Sequence, residues 1–487
     1  MSSPSRHKYK AVIGLEVHAQ LLTNSKIFSA DATNFGAPAN TNVSVVSLAH
    51  PGTLPKLNKA VVEKAIRMGL ACRCEISRHN IFDRKNYFYP DLSKGYQITQ
   101  DRTPICRGGF IQIQTSEGSK KQIRLNRIHM EEDAGKLIHP EGSSYSQVDF
   151  NRAGVPLIEI VTEPCIESAT DAGLLLSEIR RLVRYLDICD GNMEEGSLRC
   201  DANVSVMLKE ATTFGKKVEI KNMNSVRNVV HAIGHEVDRQ IQLLETGNQV
   251  NSETRTFDAS TGKTYGMRTK EELNDYRYFP DPDLSPFVVT DSWLDAIRQS
   301  MPALPEALVE QFTGQFKLPD YDAHVLTESR ELAQYFQEVA AHTSNYKAAS
   351  NWLMGPVKSY INDHKISAAA FPLPAAALAK LMAMIDAGKV SHTVALQKIF
   401  PELLRNPEMA PDVLAEEMNL LQDSDEDSLR PVVDQVIKEF PLKVEEFKSG
   451  KKGIVQMFMG EVMKRTRGKA DPRLANEMLM ERLKQKR

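Results

Sequence analysis

The sequence predicts an α+β protein in which a sheet-based domain is followed by two helical domains. In residues 1–292, several segments alternate apolar and polar side chains with the period of two that is typical of strands. From residue 293 the chain is alanine-rich and its apolar spacing is typical of helices. A chain of 487 residues is also too long for one core. We therefore expect a sheet-based domain at 1–292, a helical domain at 293–408 and a basic helical tail domain at 409–487.

Composition indicates a soluble cytoplasmic protein. Lys and Arg number 61 against 63 Asp and Glu, so the formal net charge of -2 gives no overall basic field for nucleic acid. The six cysteines form no CxxC pair, which favours reduced, buried thiols over a disulfide framework; Cys72 and Cys74 are only a weak indication of zinc. No apolar run is long enough to span a bilayer, and residues 1–10 lack the apolar core of a signal peptide.

The first predicted strand covers residues 11–21. Ile13, Leu15 and Val17 share one face, whereas Glu16 and His18 share the other. A glutamate and a histidine two residues apart on a strand project side by side, which is a suitable spacing for one metal ion. A solvated strand face explains the same pattern.

A second strand, at residues 199–206, repeats this alternation. Arg199, Asp201 and Asn203 lie on its polar face. An exposed strand would account for it alone, but other strands also carry a carboxylate on the polar face. A sheet built in this way gathers acids on one surface, where they repel one another unless a cation lies among them.

Residues 124–135 place a histidine beside three consecutive acids. If this segment is extended, His129 and Glu131 share a face with Asp133, and Glu132 lies on the other. Strand phase therefore favours Glu131 over Glu132 as the partner of His129, but a bulge would reverse that choice.

Two further strands add charge to the same surface. Glu159 lies within an otherwise apolar strand at 156–164, and a carboxylate in that setting needs a partner. Glu219 and Lys221 share a face in residues 218–224.

Two segments combine aromatic and basic residues. Residues 82–91 interleave charges, including Lys85, with aromatic side chains before a proline, and Arg277 lies between two tyrosines. Such side chains can bind a nucleotide, the base by stacking and the phosphates by charge. Alternatively, the aromatics pack on the core and the basic residues form structural ion pairs.

Three helices and one hairpin are predicted in this half. The helices cover 58–70, 167–186 and about 225–247, from their apolar stripes and capping residues. The Gly262-Lys263-Thr264 sequence suggests a phosphate-binding P-loop, but that motif needs a glycine where Phe257 stands. The flanking residues, 254–257 and 264–268, are instead typical of two strands of a hairpin.

The C-terminal residues 441–487 are basic, with 13 Lys and Arg against 6 Asp and Glu, a local balance of +7. Their sharpest cluster contains Lys464, Arg465, Arg467 and Lys469. A small basic helical unit suits binding to a phosphate backbone, although a solvated helix face has the same composition.

These motifs resemble signatures of the B subunits of aspartyl/glutamyl-tRNA amidotransferases, and the resemblance runs the length of the chain. The matching segments are 13–18, 51–55, 83–90, 129–135, 149–159, 193–203, 275–280, 459–464 and 468–471. Some members of that family carry zinc-binding cysteines, of which this chain lacks a convincing set.

The resemblance implies the kinase and transamidase component of a glutamine-hydrolysing carbon–nitrogen ligase. Such a B subunit works in a heterotrimer with an amidase, the A subunit, which releases ammonia from glutamine, and with a small C subunit. It uses ATP and Mg²⁺ to phosphorylate the side-chain carboxylate of Glu-tRNA(Gln) or Asp-tRNA(Asn), and ammonia then displaces the phosphate. The resemblance also implies an antiparallel cradle like that of glutamine synthetase.

This chemistry gives the polar strand faces a function. An anionic carboxylate meets an anionic triphosphate only with cations present, and hard cations prefer oxygen ligands. The expected Mg²⁺ ligands are Glu16, His18, Glu131, Glu132, Glu159, Asp201 and Glu219. The residues expected to neutralise phosphates are Lys85, Arg199, Lys221 and Arg277, and the tail cluster is expected to bind tRNA. The residues expected to serve catalysis are Glu16, His18, Lys85, Glu131, Glu132 and Asp201.

Two other classes of function remain open from sequence. One is a free-standing ATP-dependent carboxylate–amine ligase acting on a small metabolite, against which the basic tail argues. The other is a non-catalytic tRNA-binding scaffold, for which acid-lined strands would have no purpose.

Overall fold

The computed structural model describes residues 6–115, 117–269, 276–422, 426–466 and 470–484. The chain divides into two compact units, Met1–Leu304 and Pro305–Arg487. The first unit contains every strand of the described chain, and the second is helical. The α+β class predicted from the sequence is confirmed.

A ten-stranded sheet forms the framework of the first unit. Its path runs β15-β14-β13-β12-β1-β11-β8-β6-β2, with β7 paired to β8. All of its pairings are antiparallel except β13 with β14. The strands of this sheet are β1 Tyr9–Gln20, β2 Glu75–Ile76, β6 Cys106–Arg107, β7 Phe110–Gln114, β8 Lys120–Glu132, β11 Pro156–Thr162, β12 Leu198–Leu208, β13 Val218–Met223, β14 Glu253–Asp258 and β15 Lys263–Thr269.

Three small sheets accompany it in the described residues. In the first, β4 pairs with both β5 and β16; the others are the pairs β9–β10 and β3–β17. Their strands are β3 His79–Asn80, β4 Asp83–Asn86, β5 Tyr96–Thr99, β9 Lys136–Ile138, β10 Gln147–Asp149, β16 Phe279–Pro280 and β17 Phe287–Val288.

Four helices lie in the described part of the first unit, and they pack into the core that covers the apolar face of the large sheet. The helices are α1 Lys59–Ala71, α2 Ala169–Tyr185, α3 Val226–Glu245 and α4 Asp291–Gln299. Ile13, Leu15 and Val17 of β1 are fully buried in this core, together with the inward stripes of α2 and α3. Burial of these apolar side chains drives the packing, and it leaves the polar side chains of the same strands on the opposite face.

In the described residues, the second unit consists of helices. They are α5 Pro305–Gly314, α6 Asp320–Leu326, α7 Arg330–Ala340, α8 Tyr346–Trp352, α9 Lys358–His364, α10 Ala375–Asp386, α11 His392–Val394, α12 Phe400–Arg405, α13 Pro411–Glu417, α14 Glu426–Glu439, α15 Pro441–Lys448, α16 Ile454–Arg465 and α17 Pro472–Lys484. Two π-helical turns, Leu353–Val357 and Ala395–Ile399, continue α8 and α11. Helices α14, α16 and α17 share a separate apolar core that includes Val433, Phe458 and Leu479.

The predicted local structure agrees closely with the observed elements. Asn58 and Ser225 cap α1 and α3 through side-chain oxygens. The segment around the Gly-Lys-Thr sequence forms the antiparallel hairpin β14–β15, so the rejection of a P-loop is confirmed. All six cysteines are free thiols, and five are buried. Across the described ranges, no helix combines the length and apolar character needed to cross a bilayer.

Candidate functional site: a charged row across the sheet

The register of four adjacent strands places polar side chains in one row across the sheet. His18 on β1 pairs with Arg199 on β12 and with Glu159 on β11, and Glu159 pairs with His129 on β8. From β12 to β8 the order is therefore Arg199, His18, Glu159 and His129. Antiparallel partners lie about 5 Å apart, so the pairing brings residues from distant parts of the sequence together.

Three side chains in and beside this row converge on one point. The Nε2 atom of His18 lies 3.5 Å from carboxylate oxygens of both Glu131 and Glu159. One ligand atom from each of the three residues lies within 4.8 Å of the others. Thr99 on β5 donates a hydrogen bond of 3.4 Å to the second oxygen of Glu131, which helps to fix that carboxylate.

The titration of the row follows from burial and from charge. Burial lowers the pKa of His18, but its hydrogen bond to Glu159 and the charges of Glu159 and Glu131 outweigh that effect and raise it. Burial also lowers the pKa of His129. The charge of Glu159 and the hydrogen bonds to Glu131 and Glu159 outweigh burial and raise this pKa to about 9. Burial raises the pKa of Glu159, whereas the charges and hydrogen bonds of His129 and His18 hold it well below its usual range. The imidazolium of His129 thus balances part of the charge of the acids.

The trio of His18, Glu131 and Glu159 fits a divalent cation. Two carboxylates and one imidazole nitrogen form a donor set that Mg²⁺ and Mn²⁺ accept. Beside the trio, the buried Nδ1 atom of His129 has no hydrogen-bond partner among the described residues, while its Nε2 lies 3.2 Å from Glu159. A buried unpaired nitrogen is costly in a site that is only structural.

A second charged group lies along β12 and β13. The Lys221 ammonium is 2.7 Å from a carboxylate oxygen of Asp201 and 3.1 Å from one of Glu219. Burial lowers the pKa of Lys221, but Asp201 and then Glu219 raise it above its usual value. Glu16, opposite Asp201 in the register, accepts a hydrogen bond of 2.7 Å from Asn203 Nδ2. One lysine cation therefore balances two acids, and a third acid lies on the adjacent strand.

Asp133 is a site residue that the sequence reasoning did not select. Its Oδ2 atom accepts hydrogen bonds of 2.9 Å from Gln20 and 3.0 Å from Arg199, and Arg152 Nε lies 3.7 Å away. Burial lowers the pKa of the Arg199 guanidinium, but the charge of Asp133 and its hydrogen bond outweigh burial and raise it. The signal was present in the sequence, because Asp133 has the same strand phase as His129 and Glu131.

Glu132 is separated from the trio, which corrects its selection as a metal ligand. Its side chain lies on the opposite face of β8, where it accepts hydrogen bonds of 2.6 Å from Lys94 and 2.8 Å from the Ile98 backbone N–H. The regular alternation of β8 sends consecutive residues to opposite faces. There Glu132 lines a cavity of about 260 Å³ with Lys94 and the buried Lys26, whose pKa is lowered by burial to about 8.

Lys85 lies among aromatic rings rather than in the row. Its Nζ atom is 4.7 Å from the ring centroid of Tyr276 and 5.8 Å from that of Tyr87. Arg277 is exposed, and its backbone has a φ of 44°. Since Arg277 follows Tyr276 directly, both predicted phosphate-binding residues of these motifs lie at one aromatic surface.

The predicted tail cluster lies at the end of α16 and beyond it. Arg465 forms an ion pair with Glu439, with one nitrogen–oxygen distance of 3.1 Å. Lys464 is exposed. Arg467 and Lys469 lie outside the described residues.

Comparison with known proteins shows the family of the chain. Residues 11–295 match the family described as the GatB/GatE catalytic domain, and residues 334–483 match the GatB domain family. The B subunit of the aspartyl/glutamyl-tRNA(Asn/Gln) amidotransferase of Geobacter sulfurreducens is 49% identical over 479 residues, covering 98% of this chain and 99% of that protein. The chain belongs to the family of amidotransferase B subunits.

Other B subunits give the same result. That of Trichlorobacter lovleyi is 49% identical over 476 residues, covering 98% of this chain and 99% of its own. The B subunit of Thermosynechococcus vestitus is 46% identical over 484 residues, which cover 98% of this chain and 96% of that protein. The resemblance drawn from the motifs is confirmed across both compact units.

Proposed function

We propose that this amidotransferase B subunit phosphorylates the side-chain carboxylate of Glu-tRNA(Gln), Asp-tRNA(Asn) or both with ATP, and that ammonia then displaces the phosphate. The products are Gln-tRNA(Gln) or Asn-tRNA(Asn), with ADP and inorganic phosphate. The observation that carries the proposal is the sheet face on which His18, Glu131 and Glu159 converge beside Arg199 and Lys221. The names of the relatives, which are tRNA amidotransferase subunits, support it.

The reaction explains why this face needs both charges. Ammonia does not readily attack a carboxylate, because the carbon carries an anionic group and no good leaving group. Phosphorylation supplies the leaving group, yet it requires two anions to approach one another. Bound Mg²⁺ would neutralise phosphate charge and hold the phosphates in place.

In this proposal each part of the face has its own role. His18, Glu131 and Glu159 hold one cation, and Glu16, Asp201 and Glu219 supply oxygen ligands near the phosphates. Arg199 and Lys221 contact the phosphates directly, and Asp133 orients Arg199 through its 3.0 Å hydrogen bond. The Thr99 hydroxyl orients Glu131.

The wider setting belongs to the same proposal. We infer a cradle like that of glutamine synthetase, which the large antiparallel sheet with one charged face supports. An amidase, the A subunit, would supply ammonia, and a small C subunit would complete the cytoplasmic heterotrimer. The tail domain at 409–487 stays part of the proposal, and the apolar core that α14, α16 and α17 share within residues 429–483 supports it.

Substitution of His18 tests the proposal. His18→Ala or Glu16→Ala in the co-expressed trimer should abolish ATP-dependent transamidation and leave glutaminase activity largely intact. Glu194→Ala, at an exposed position, is the matched control. Equal loss of glutaminase activity would place His18 and Glu16 in the assembly of the complex instead.

We infer that the tail domain binds tRNA. Because α14, α16 and α17 share one core, deletion of residues 441–487 would expose it, so charge removal is the sharper test. Lys464→Ala with Arg467→Ala and Lys469→Ala should weaken tRNA binding and flatten its salt dependence, by about 0.7–0.9 in log–log slope for each phosphate that is no longer neutralised. ATP binding should not change. An unchanged tRNA affinity at physiological salt would remove the tail from the proposal.

A further inference from the structure

Three tyrosines beside the charged row pack edge to face, with 71° between the planes of neighbouring rings; this cluster is here called the tyrosine platform and contains Tyr87, Tyr276 and Tyr278. The ring centroids of Tyr87 and Tyr276 are 6.2 Å apart, and those of Tyr276 and Tyr278 are 6.1 Å apart. All three side chains are half-buried, so ring surface remains accessible. The ammonium of Lys85 adds a cation 4.7 Å from the Tyr276 ring centroid.

Asn86 holds the platform in place by hydrogen bonds to the backbone carbonyls of residues 276 and 277. The Asn86 amide side chain donates hydrogen bonds of 3.2 Å to the Tyr276 carbonyl and 2.8 Å to the Arg277 carbonyl. The Asn86 backbone N–H also donates to the Tyr276 carbonyl at 3.0 Å. Segment 276–278 is thereby tied to β4, which orders the rings before any ligand binds.

The platform lies at one lateral side of the row. Strand β4 pairs with β5, and Thr99 of β5 donates to Glu131 of β8. Burial and the nearby Glu131 both raise the pKa of Tyr87. Arg199 and Lys221 stand on β12 and β13, on the far side of β1 and β11.

This separation assigns the two substrates of the proposed reaction to different sides. Phosphoryl transfer places the attacking and leaving oxygens roughly in line, so donor and acceptor approach the transferred group from opposite sides. If Arg199 and Lys221 hold the phosphates of the donor, the acceptor carboxylate enters from the β8 side. In an aminoacyl-tRNA that carboxylate is joined through the amino acid to the 3′-terminal ribose, whose base must then lie close by.

We propose that the tyrosine platform stacks the 3′-terminal base of the acylated tRNA and does not bind the adenine of ATP. The assignment rests on the proposed function and deepens it by naming a subsite. Aromatic rings beside a cation are the usual means of binding an unpaired terminal base.

Steady-state kinetics of the co-expressed trimer separate the two substrates. Tyr276→Leu should raise the KM for acylated tRNA roughly 5- to 100-fold, the range expected for loss of one base–aromatic stack. The KM for ATP should stay within about twofold. Tyr276→Trp, which keeps an aromatic face, should restore most of the tRNA affinity. Phe214→Leu, which changes a 65% exposed aromatic residue outside the platform, is the control. A rise in the KM for ATP alone would overturn the assignment.

A double-mutant cycle with the isolated chain then tests direct contact. The probes are a tRNA that carries glutamate through a stable 3′-amide and the same molecule with an abasic 3′-terminal nucleotide. Removal of the base should weaken binding to the wild type about tenfold or more but leave binding to Tyr276→Leu nearly unchanged. If the losses of affinity from removing the base and from Tyr276→Leu are additive, the assignment of the platform to the terminal base is wrong, but the proposed function stands. If neither probe binds the wild type while Mg²⁺·ATP does, the proposed function fails and the assignment fails with it.

Discussion

Glu159→Gln tests whether an ion pair holds the charged row together before any metal binds. Glu159 lies 3.2 Å from His129 Nε2, and His129 has a pKa of about 9 against an ordinary 6.5. Each pKa unit corresponds to about 1.4 kcal/mol, so the imidazolium is stabilised by up to about 3 kcal/mol. Glu131, which lies 3.6 Å from His129, is unchanged by the substitution. We therefore expect Glu159 to account for about 2 kcal/mol of the total.

The unfolding free energy depends on pH because folding changes the pKa values of His129 and Glu159. Folding raises the pKa of His129, so its stabilisation is fully present below pH 6.5 and is lost as pH rises through 9. Folding lowers the pKa of Glu159, so its contribution is present above 4.5 and is lost as pH falls. The difference in unfolding free energy between wild type and variant should therefore depend on pH. It should be about 2 kcal/mol larger at pH 6 than at pH 9.5.

The two tryptophans make this measurement specific to the first unit. In a Trp352→Phe background, Trp293 is the only tryptophan, and it packs against the core of the first unit. Urea unfolding followed by its fluorescence, with EDTA present, gives the difference between Glu159→Gln and wild type. Glu194→Gln is the exposed control. A difference that is the same at pH 6 and pH 9.5 would refute the ion pair. Mn²⁺ titration of the same variant should show loss of the tightest cation site.

Two further substitutions test neighbouring contacts. Asp133→Asn removes the carboxylate that orients Arg199. The KM for ATP should therefore rise about tenfold, and the KM for tRNA should not change. A change in the KM for tRNA alone would contradict this role. Glu236→Gln removes a fully buried carboxylate that pairs with Arg239 at 2.7 Å and lies 3.6 Å from Arg255. Glu253 remains 2.6 Å from Arg255 and 3.4 Å from Arg239, so each guanidinium keeps one acid. The unfolding free energy of the first unit should therefore fall by about 2 kcal/mol, as expected for the loss of hydrogen bonds between charged groups, and coinciding curves in the Trp293 assay would refute this.

Local patterns in the sequence predicted much of the fold because they report burial directly. The alternation at β1 and β12 and the apolar stripes of α2 and α3 each require only a neighbouring core. The order of the strands could not be derived in this way. Nothing in the local sequence of Glu159 indicates that β11 lies between β1 and β8, so its two histidine partners could not be assigned from the residues alone.

The limits of pattern reasoning are clearest at the end of β8. The phase of the strand favours Glu131 over Glu132, but from sequence alone both are candidate metal ligands because a bulge would exchange them. The register shift in the β8–β11 pair lies at Val161 and Thr162, several residues from the acids, so the phase is unbroken where it matters. Glu131 therefore faces His18, Glu132 faces Lys94, and Asp133 returns to the side of Arg199. Glu132 and Asp133 thus each have a cationic partner, whereas Glu131 faces His18, so three consecutive carboxylates of one short segment have three different partners.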